Sequence, residues 1–376
     1  MNYQLITENS QLDVICQAAR THAQVALDTE FVRTRTFYPR LGLIQLYDGE
    51  TLSLIDPCTI SQWQPFVDLL LDTQVTKYLH AAGEDLEVFQ HQFQCLPTPL
   101  YDTQVMSMFL GFPHGWGFAA MVYEFCEITL DKSESRTDWL ARPLSNKQCD
   151  YAAADVYYLL PIAQQLQQLA KVQQKTAIIR SECDLISARR LQITEPEEAY
   201  LDIRNNHLLR PRQLAVLQRL AAWRLDYARQ HDSAVNFVVR EEMLWQIARY
   251  LPSSSAELKE LGLSGQEIRF HANVMLQCVR QVEQLSSDLL PAKIIPLHDR
   301  PSYKALFNEI KNLINQVAQQ SGYSQQLLSS RRQVNQLIKW HWKLLPRSEA
   351  TLPELLSGWR GELLGSAIQT VLAKYK

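Results

Sequence analysis

Ala23-Gln24-Val25-Ala26-Leu27-Asp28-Thr29-Glu30-Phe31-Val32 reads as a β-strand, apolar enough to be buried on both faces. Two acids interrupt it. Asp28 and Glu30 are two residues apart, so on a strand both side chains project from one face. Two unpaired carboxylates about 4 Å apart repel by roughly 4 kcal/mol at an effective dielectric of 20. A buried strand therefore needs something positive against that face. The competing reading is a solvated edge strand with polar alternation, and an Asp-x-Glu alone leaves it open.

The neighbouring segments give this strand its sheet. Residues 33–40 (RTRTFYPR) form a turn or loop, and 41–49 (LGLIQLYDG) and 51–57 (TLSLIDP) read as two more strands. Short connections make these three an antiparallel meander. Helical periodicity follows at 61–72, a strand at 75–82, and an amphipathic helix at 83–93 with Leu86, Phe89 and Phe93 on one face. A short strand runs into a helix within 98–112, a helix lies within 115–126, and a long one over 145–173 has Ser145 as N-cap and Pro161 as a kink site. Residues 177–192 read as one more helix. Strands separated by helices add parallel pairing to the meander, which predicts a mixed α/β sheet with flanking helices.

The pattern then changes. Residues 194–206 (TEPEEAYLDIRNN) are polar and aperiodic, and beyond them the chain reads as all-helical. A faint repeat links 240–250 (REEMLWQIARY) with 330–340 (SRRQVNQLIKW) at a shift of 90, and the Ser-Gly pairs 264–265 and 357–358 at a shift of 93. Two copies of a helical module of about 80 residues account for both. The expected division is an α/β domain at 1–193, a linker at 194–209, and helical domains at 210–290 and 291–376. The first is large enough to fold alone.

Composition and charge agree. Of the 376 residues, 46% are hydrophobic and 20% charged, ordinary for a globular chain. Residues 1–200 hold 14 Lys+Arg against 25 Asp+Glu, whereas 201–376 hold 23 against 15. An acidic half joined to a basic half implies a division of labour. No apolar run approaches the roughly 20 residues a membrane helix needs. The N-terminus lacks a basic stretch followed by an apolar core, so no secretory signal is expected and the protein reads as cytoplasmic. Seven widely spaced cysteines without a C-x-x-C read as reduced thiols rather than as a disulfide framework or a zinc site.

Two further acids matter. Asp85 follows a strand at a helix start, where an acid also simply complements the helix dipole. Tyr151 and Asp155 are four apart on the long helix and share a face, with three alanines between them allowing close packing. Taken together, Asp28-x-Glu30 on a first strand, Asp85 after a later one and Tyr151-x-x-x-Asp155 on a late helix resemble the DEDD exonuclease superfamily. The tyrosine marks its DEDDy branch. In the other branch a histidine stands five residues before the last aspartate, and here that position is Asp150. The stretches 27–46, 79–89 and 130–161 resemble the ribonuclease D family, over about residues 1–190. The helical remainder resembles two helicase-and-RNase-D C-terminal (HRDC) domains.

The resemblance implies an RNase H-like exonuclease fold followed by two HRDC domains. It also implies a 3′→5′ exoribonuclease that trims tRNA precursors with a single-stranded 3′ end and releases 5′-mononucleotides. Hard oxygen donors suit two Mg²⁺ or Mn²⁺ ions. Asp28, Glu30 and Asp155 would hold one, Asp28 and Asp85 the other, and Tyr151 would orient the attacking water. Candidate substrate contacts are Phe31, for stacking a terminal base, and Lys132, Arg136 and Arg142, for phosphates. Core packing for Phe31 and a solvated face for the three cations are equally good readings. Asp102 reads as an N-cap and His80 as a sheet-end hydrogen-bonding group rather than a metal ligand. Trp340 and Trp342 read as helical core, and no Walker-type phosphate loop occurs. A DNA 3′→5′ exonuclease and a non-catalytic nucleic-acid-binding scaffold are the rival functions. The chain is expected to act as a monomer.

Overall fold

The computed structural model describes residues 1–344 and 352–375. Its N-terminal half is built from β1 (Gln4–Ile6), α1 (Asn9–Ala19), β2 (Gln24–Val32), β3 (Arg40–Tyr47), β4 (Leu52–Ile55), α2 (Gln64–Leu71), β5 (Thr76–Leu79), α3 (Gly83–Phe93), β6 (Leu100–Asp102), α4 (Thr103–Phe109), α5 (Phe118–Cys126), α6 (Asn146–Val172) and α7 (Thr176–Arg190). The six strands form one sheet in the order β1-β4-β3-β2-β5-β6. β2, β3 and β4 are the expected antiparallel meander, and β1, β5 and β6 join it by parallel pairs.

Alternation along the strands divides the core. Val25, Leu27, Ile44 and Leu46 face a layer containing α1, α2 and α3. Ala26, Leu43 and Leu54 face α4, α5 and α6. α6 lies close against the sheet because Ala152 and Ala153 are fully buried between it and the strands. It starts at a capping box in which the Gln148 amide donates to Ser145 Oγ and the Ser145 amide donates to Gln148 Oε1.

The helical half has two units. α8 (Pro211–Gln230), α9 (Val235–Val238), α10 (Glu241–Tyr250), α11 (Ser255–Glu260) and α12 (Gly265–Glu283) form the first. α13 (Tyr303–Ser321), α14 (Gln325–Leu328), α15 (Arg331–His341) and α16 (Gly358–Leu372) form the second. The faint sequence repeat is therefore structural. α10 recurs as α15, and the two Ser-Gly pairs each open a helix, at α12 and α16.

Four expectations need correction. β1 and α1 were not anticipated, although Leu12, Ile15, Cys16 and Ala19 repeat at helical spacing and are all buried. The strand expected over 75–82 stops at Leu79, because Ala81 adopts a left-handed conformation with φ 53° and turns the chain into α3. The expected linker at 194–209 consists largely of two 3₁₀ turns, and its Ile203 and Leu209 are buried in the core of the first helical unit. Most consequentially, the second helical unit is not an appendage. Its Leu306, Ile310, Leu337, Trp359 and Ile368 share one continuous core with Phe109, Ile179 and Cys183 of the α/β half. The α4–α7 flank of the α/β half is thus covered by the second helical unit.

Candidate active site

β2 pairs with β5 only through Gln24–Ala26, so its C-terminal part is open on that side. Asp28 and Glu30 lie in this open part, on the face covered by α6, with a ladder irregularity between Glu30 and Phe31. α6 brings Asp155 to meet them. One carboxylate oxygen from each of Asp28, Glu30 and Asp155 lies within 4.8 Å of the other two. The solvated-edge reading of Asp-x-Glu does not hold, since Leu27 and Thr29 are buried and β2 is a central strand.

Asp85 arrives from the other side of the sheet. It sits in the first turn of α3 and accepts a 2.5 Å hydrogen bond from Thr29 Oγ1. Thr29, between the two acids, was not singled out in the sequence, yet it joins the third acid to the strand carrying the first two. The entry into α3 is itself pinned. Asp102, at the end of β6, accepts from the amides of Ala81 and Ala82 at 3.0 and 2.9 Å, besides capping α4 through Gln104. His80 Nδ1 lies 2.9 Å from Thr103 Oγ1, as expected of a sheet-end hydrogen-bonding group.

Among the described residues, none of the four acids has an ion-pair partner. Burial and mutual repulsion therefore meet no opposing cation, only hydrogen bonds at Asp28 and Asp85. Burial first, then Asp85, Asp155 and Glu30, push the Asp28 carboxyl well above the usual range. Burial, with Asp155 and Asp85, raises Glu30 to about 9. Burial and Asp85 raise Asp155 to about 7. Asp85 rises to about 6 through burial, moderated by its Thr29 hydrogen bond. Asp85 is buried and Asp28, Glu30 and Asp155 are half-buried, and such a carboxylate set with no protein cation is a donor set fit for hard divalent metal ions.

Tyr151, one turn before Asp155, is half-buried beside the Trp139 ring. Burial and the nearby Asp155, Glu30 and Asp28 raise its hydroxyl above its ordinary value, so it stays protonated at neutral pH. Tyr151 and Asp155 line a cavity of about 610 Å³, together with Phe118, Lys132 and Tyr158. Arg136 is exposed on the same loop but does not line the cavity. Phe31 is half-buried and packs on the α1–α3 side of the sheet.

Arg142 is placed differently from both readings of it. Its guanidinium donates to both Asp56 carboxylate oxygens, at 2.6 and 2.7 Å, and to the carbonyls of Gly42 and Trp139. Although the side chain stays 24% exposed, these contacts commit the guanidinium to Asp56 and the neighbouring carbonyls, fastening the 138–142 loop onto the sheet. Gly42 permits this approach, since a Cβ there would lie 2.7 Å from the Trp139 carbonyl oxygen.

Comparisons with known proteins follow this geometry. Residues 3–171 match the 3′-5′ exonuclease family, 213–279 the HRDC domain, and 301–368 the ribonuclease D C-terminal HRDC domain. The ribonuclease D of Serratia proteamaculans is 56% identical over 375 residues, covering all of both chains. The chain belongs to the ribonuclease D family. The Escherichia coli ribonuclease D is 54% identical, again over the full length of both. Its crystal structure, that of an exoribonuclease involved in structured RNA processing, superposes with a TM-score of 0.97 and covers 100% of each chain. As a family member the chain is a hydrolase, a 3′→5′ exoribonuclease, with an exonuclease domain and two HRDC domains as the resemblance implied. No helix among its described residues is long and apolar enough to cross a membrane.

Proposed function

We propose that the enzyme trims single-stranded 3′ ends of RNA, tRNA precursors among them, one nucleotide at a time, using two divalent ions held by Asp28, Glu30, Asp85 and Asp155. The convergence of the Asp28, Glu30 and Asp155 oxygens without a protein cation carries this reading. Bound Mg²⁺ or Mn²⁺ would polarise the phosphodiester and make water a competent nucleophile near neutral pH. Asp28, Glu30 and Asp155 would hold one ion, and Asp28 with Asp85 would hold the other. Tyr151 would position the attacking water by hydrogen bonding rather than act as a base, since a phenol with an ordinary pKa near 10 is a poor base at neutral pH. Lys132, which lines the cavity, meets the departing phosphate or its neighbour, whereas Phe31, packed on the α1–α3 side, fits core packing better than base stacking.

The body of a folded RNA needs contacts away from its end. Residues 291–376 hold 12 Lys+Arg against 5 Asp+Glu, whereas 210–290 hold 10 against 9. The second helical unit therefore carries nearly all of the positive charge. Lys304, Lys311, Arg331, Arg332, Lys339 and Lys343 are exposed on α13, α15 and the turn after it, without ion-pair partners among the described residues. We assign the phosphate contacts of the RNA body to this surface. The carboxylate set comes from one chain, which fits a monomer, and seven free cysteines fit the cytoplasm.

The test compares 3′-hydroxyl RNA, 3′-phosphate RNA and DNA, with Mg²⁺ or Mn²⁺ and with chelator. Release of 5′-mononucleotides from 3′-hydroxyl RNA, abolished by chelator, is expected. Undiminished cleavage under chelation would refute the metal assignment.

A further inference from the structure

Gln45, in the middle of β3, is 0% exposed, and neither oxygen nor nitrogen of its side-chain amide has a hydrogen-bond partner among the described residues. Leaving a buried amide unsatisfied is destabilising, and Leu or Met at the same place would avoid that cost. Packing alone therefore does not explain a glutamine here.

Its position supplies a reason. In the β2–β3 ladder Gln45 is directly opposite Asp28. Directly opposed residues have Cβ atoms about 4.5–5.5 Å apart, and their side chains leave the sheet on the same face. Leu43, two residues before Gln45, and Ala26, two before Asp28, both face the α6 layer. Gln45 and Asp28 therefore share the space beneath α6. An ionised carboxylate has about four acceptor positions, and a glutamine amide brings two donors. Carboxylates that hold metal ions are commonly oriented by a neighbouring hydrogen bond.

We propose that Gln45 is a positioning residue for Asp28: its amide N–H donates to the Asp28 carboxylate when that group engages a divalent ion, fixing the orientation that lets Asp28 face both ion sites. The inference rests on the reading of Asp28 as a metal ligand. It assigns the glutamine no contact with substrate.

The experiment uses full-length Gln45→Met and Gln45→Leu proteins, with Mn²⁺ binding followed by calorimetry and metal-free thermal unfolding measured alongside. Mn²⁺ dissociation constants should rise about 10- to 100-fold, and the Mn²⁺-induced rise in Tm should shrink accordingly. The metal-free Tm should stay equal or increase, because an unsatisfied amide has been removed. A Mn²⁺ affinity within twofold of the unaltered protein overturns the proposal. So does a lower metal-free Tm, or loss of the fold, in both variants, since either would make the glutamine a structural residue. Failure of the metal-ligand reading shows separately, as no Mn²⁺ binding by the unaltered protein, and takes the proposal with it.

Discussion

Replacing Arg360 by Met should loosen the second helical unit from the nuclease half. Arg360, on α16, and Glu182, on α7, are 4% and 5% exposed and lie 178 residues apart in sequence. The guanidinium donates to both Glu182 oxygens, at 2.5 and 3.0 Å, and to the carbonyls of Leu327 and Leu328. Trp359 Nε1 donates to the same carboxylate at 2.8 Å. Met keeps most of the buried stem of the arginine but leaves Glu182 with the indole as its remaining donor among these, and frees two carbonyls. Breaking a buried pair from one side costs about 3–5 kcal/mol, so that loss is expected for Arg360→Met. The Glu182→Met, Arg360→Met double variant should recover most of it, because removing both charges also removes the desolvation each demands. Urea unfolding of the four proteins, with limited proteolysis to report release of the C-terminal unit, closes the cycle. A loss below about 1 kcal/mol for Arg360→Met, or a double variant no better than the sum of the singles, would refute the reasoning. The same contacts determine the fate of a chain cut near residue 200. It would expose Phe109 and Ile179 and leave Glu182 without its cation, so it should be unstable and inactive even on short oligonucleotides.

Tyr151→Phe should lower kcat with little change in KM, since it removes a hydroxyl and keeps the ring beside Trp139; an unchanged kcat would make the tyrosine structural. Asp28→Asn should abolish hydrolysis while leaving the metal-free fold intact and slightly more stable, and near-normal turnover with Mg²⁺ would contradict it. A carboxyl with a raised folded pKa favours folding at low pH; its contribution is fully present below about pH 4 and is lost as pH rises through the folded value. For Asp85, Asp155 and Glu30 those values are about 6, 7 and 9. Metal-free Glu30→Gln should therefore gain Tm over the unaltered protein progressively from pH 5 to 9, and a pH-independent difference would rule that out. Changing Lys304, Lys311 and Arg331 together to Gln should weaken binding to precursor tRNA and flatten the slope of log K against log salt by about 2. An unaltered slope would place the phosphate contacts elsewhere.

What the sequence revealed was whatever repeats or clusters locally. The Asp28-x-Glu30 strand, the meander after it and the Tyr151-x-x-x-Asp155 helix were legible because strand and helix periods decide which side chains share a face. The helical duplication was legible because a helix segment and a Ser-Gly helix start recur at nearly equal shifts of 90 and 93. Arg142 was not, because a cation near a nuclease site gives the same local signal whether it meets a phosphate or Asp56, 86 residues earlier. The linker looked unstructured because 3₁₀ turns have no long apolar period, although Ile203 and Leu209 are core residues. The common core of the second helical unit and α7 was invisible for the same reason as the Glu182–Arg360 pair: contacts across such separations leave no periodic trace. Gln45 reads as one polar residue in an apolar strand until the ladder puts it opposite Asp28.

The shared core also has a timing. A ribosome adds about 5–20 residues per second, so the 178 residues from Glu182 to Arg360 take roughly 10–35 seconds to make. Throughout that interval every acid of the catalytic cluster has been synthesised, but the apolar flank of α4 and α7 awaits α13 and α16. The nascent nuclease therefore remains incompletely folded while it is still attached to the machinery that reads its own messenger.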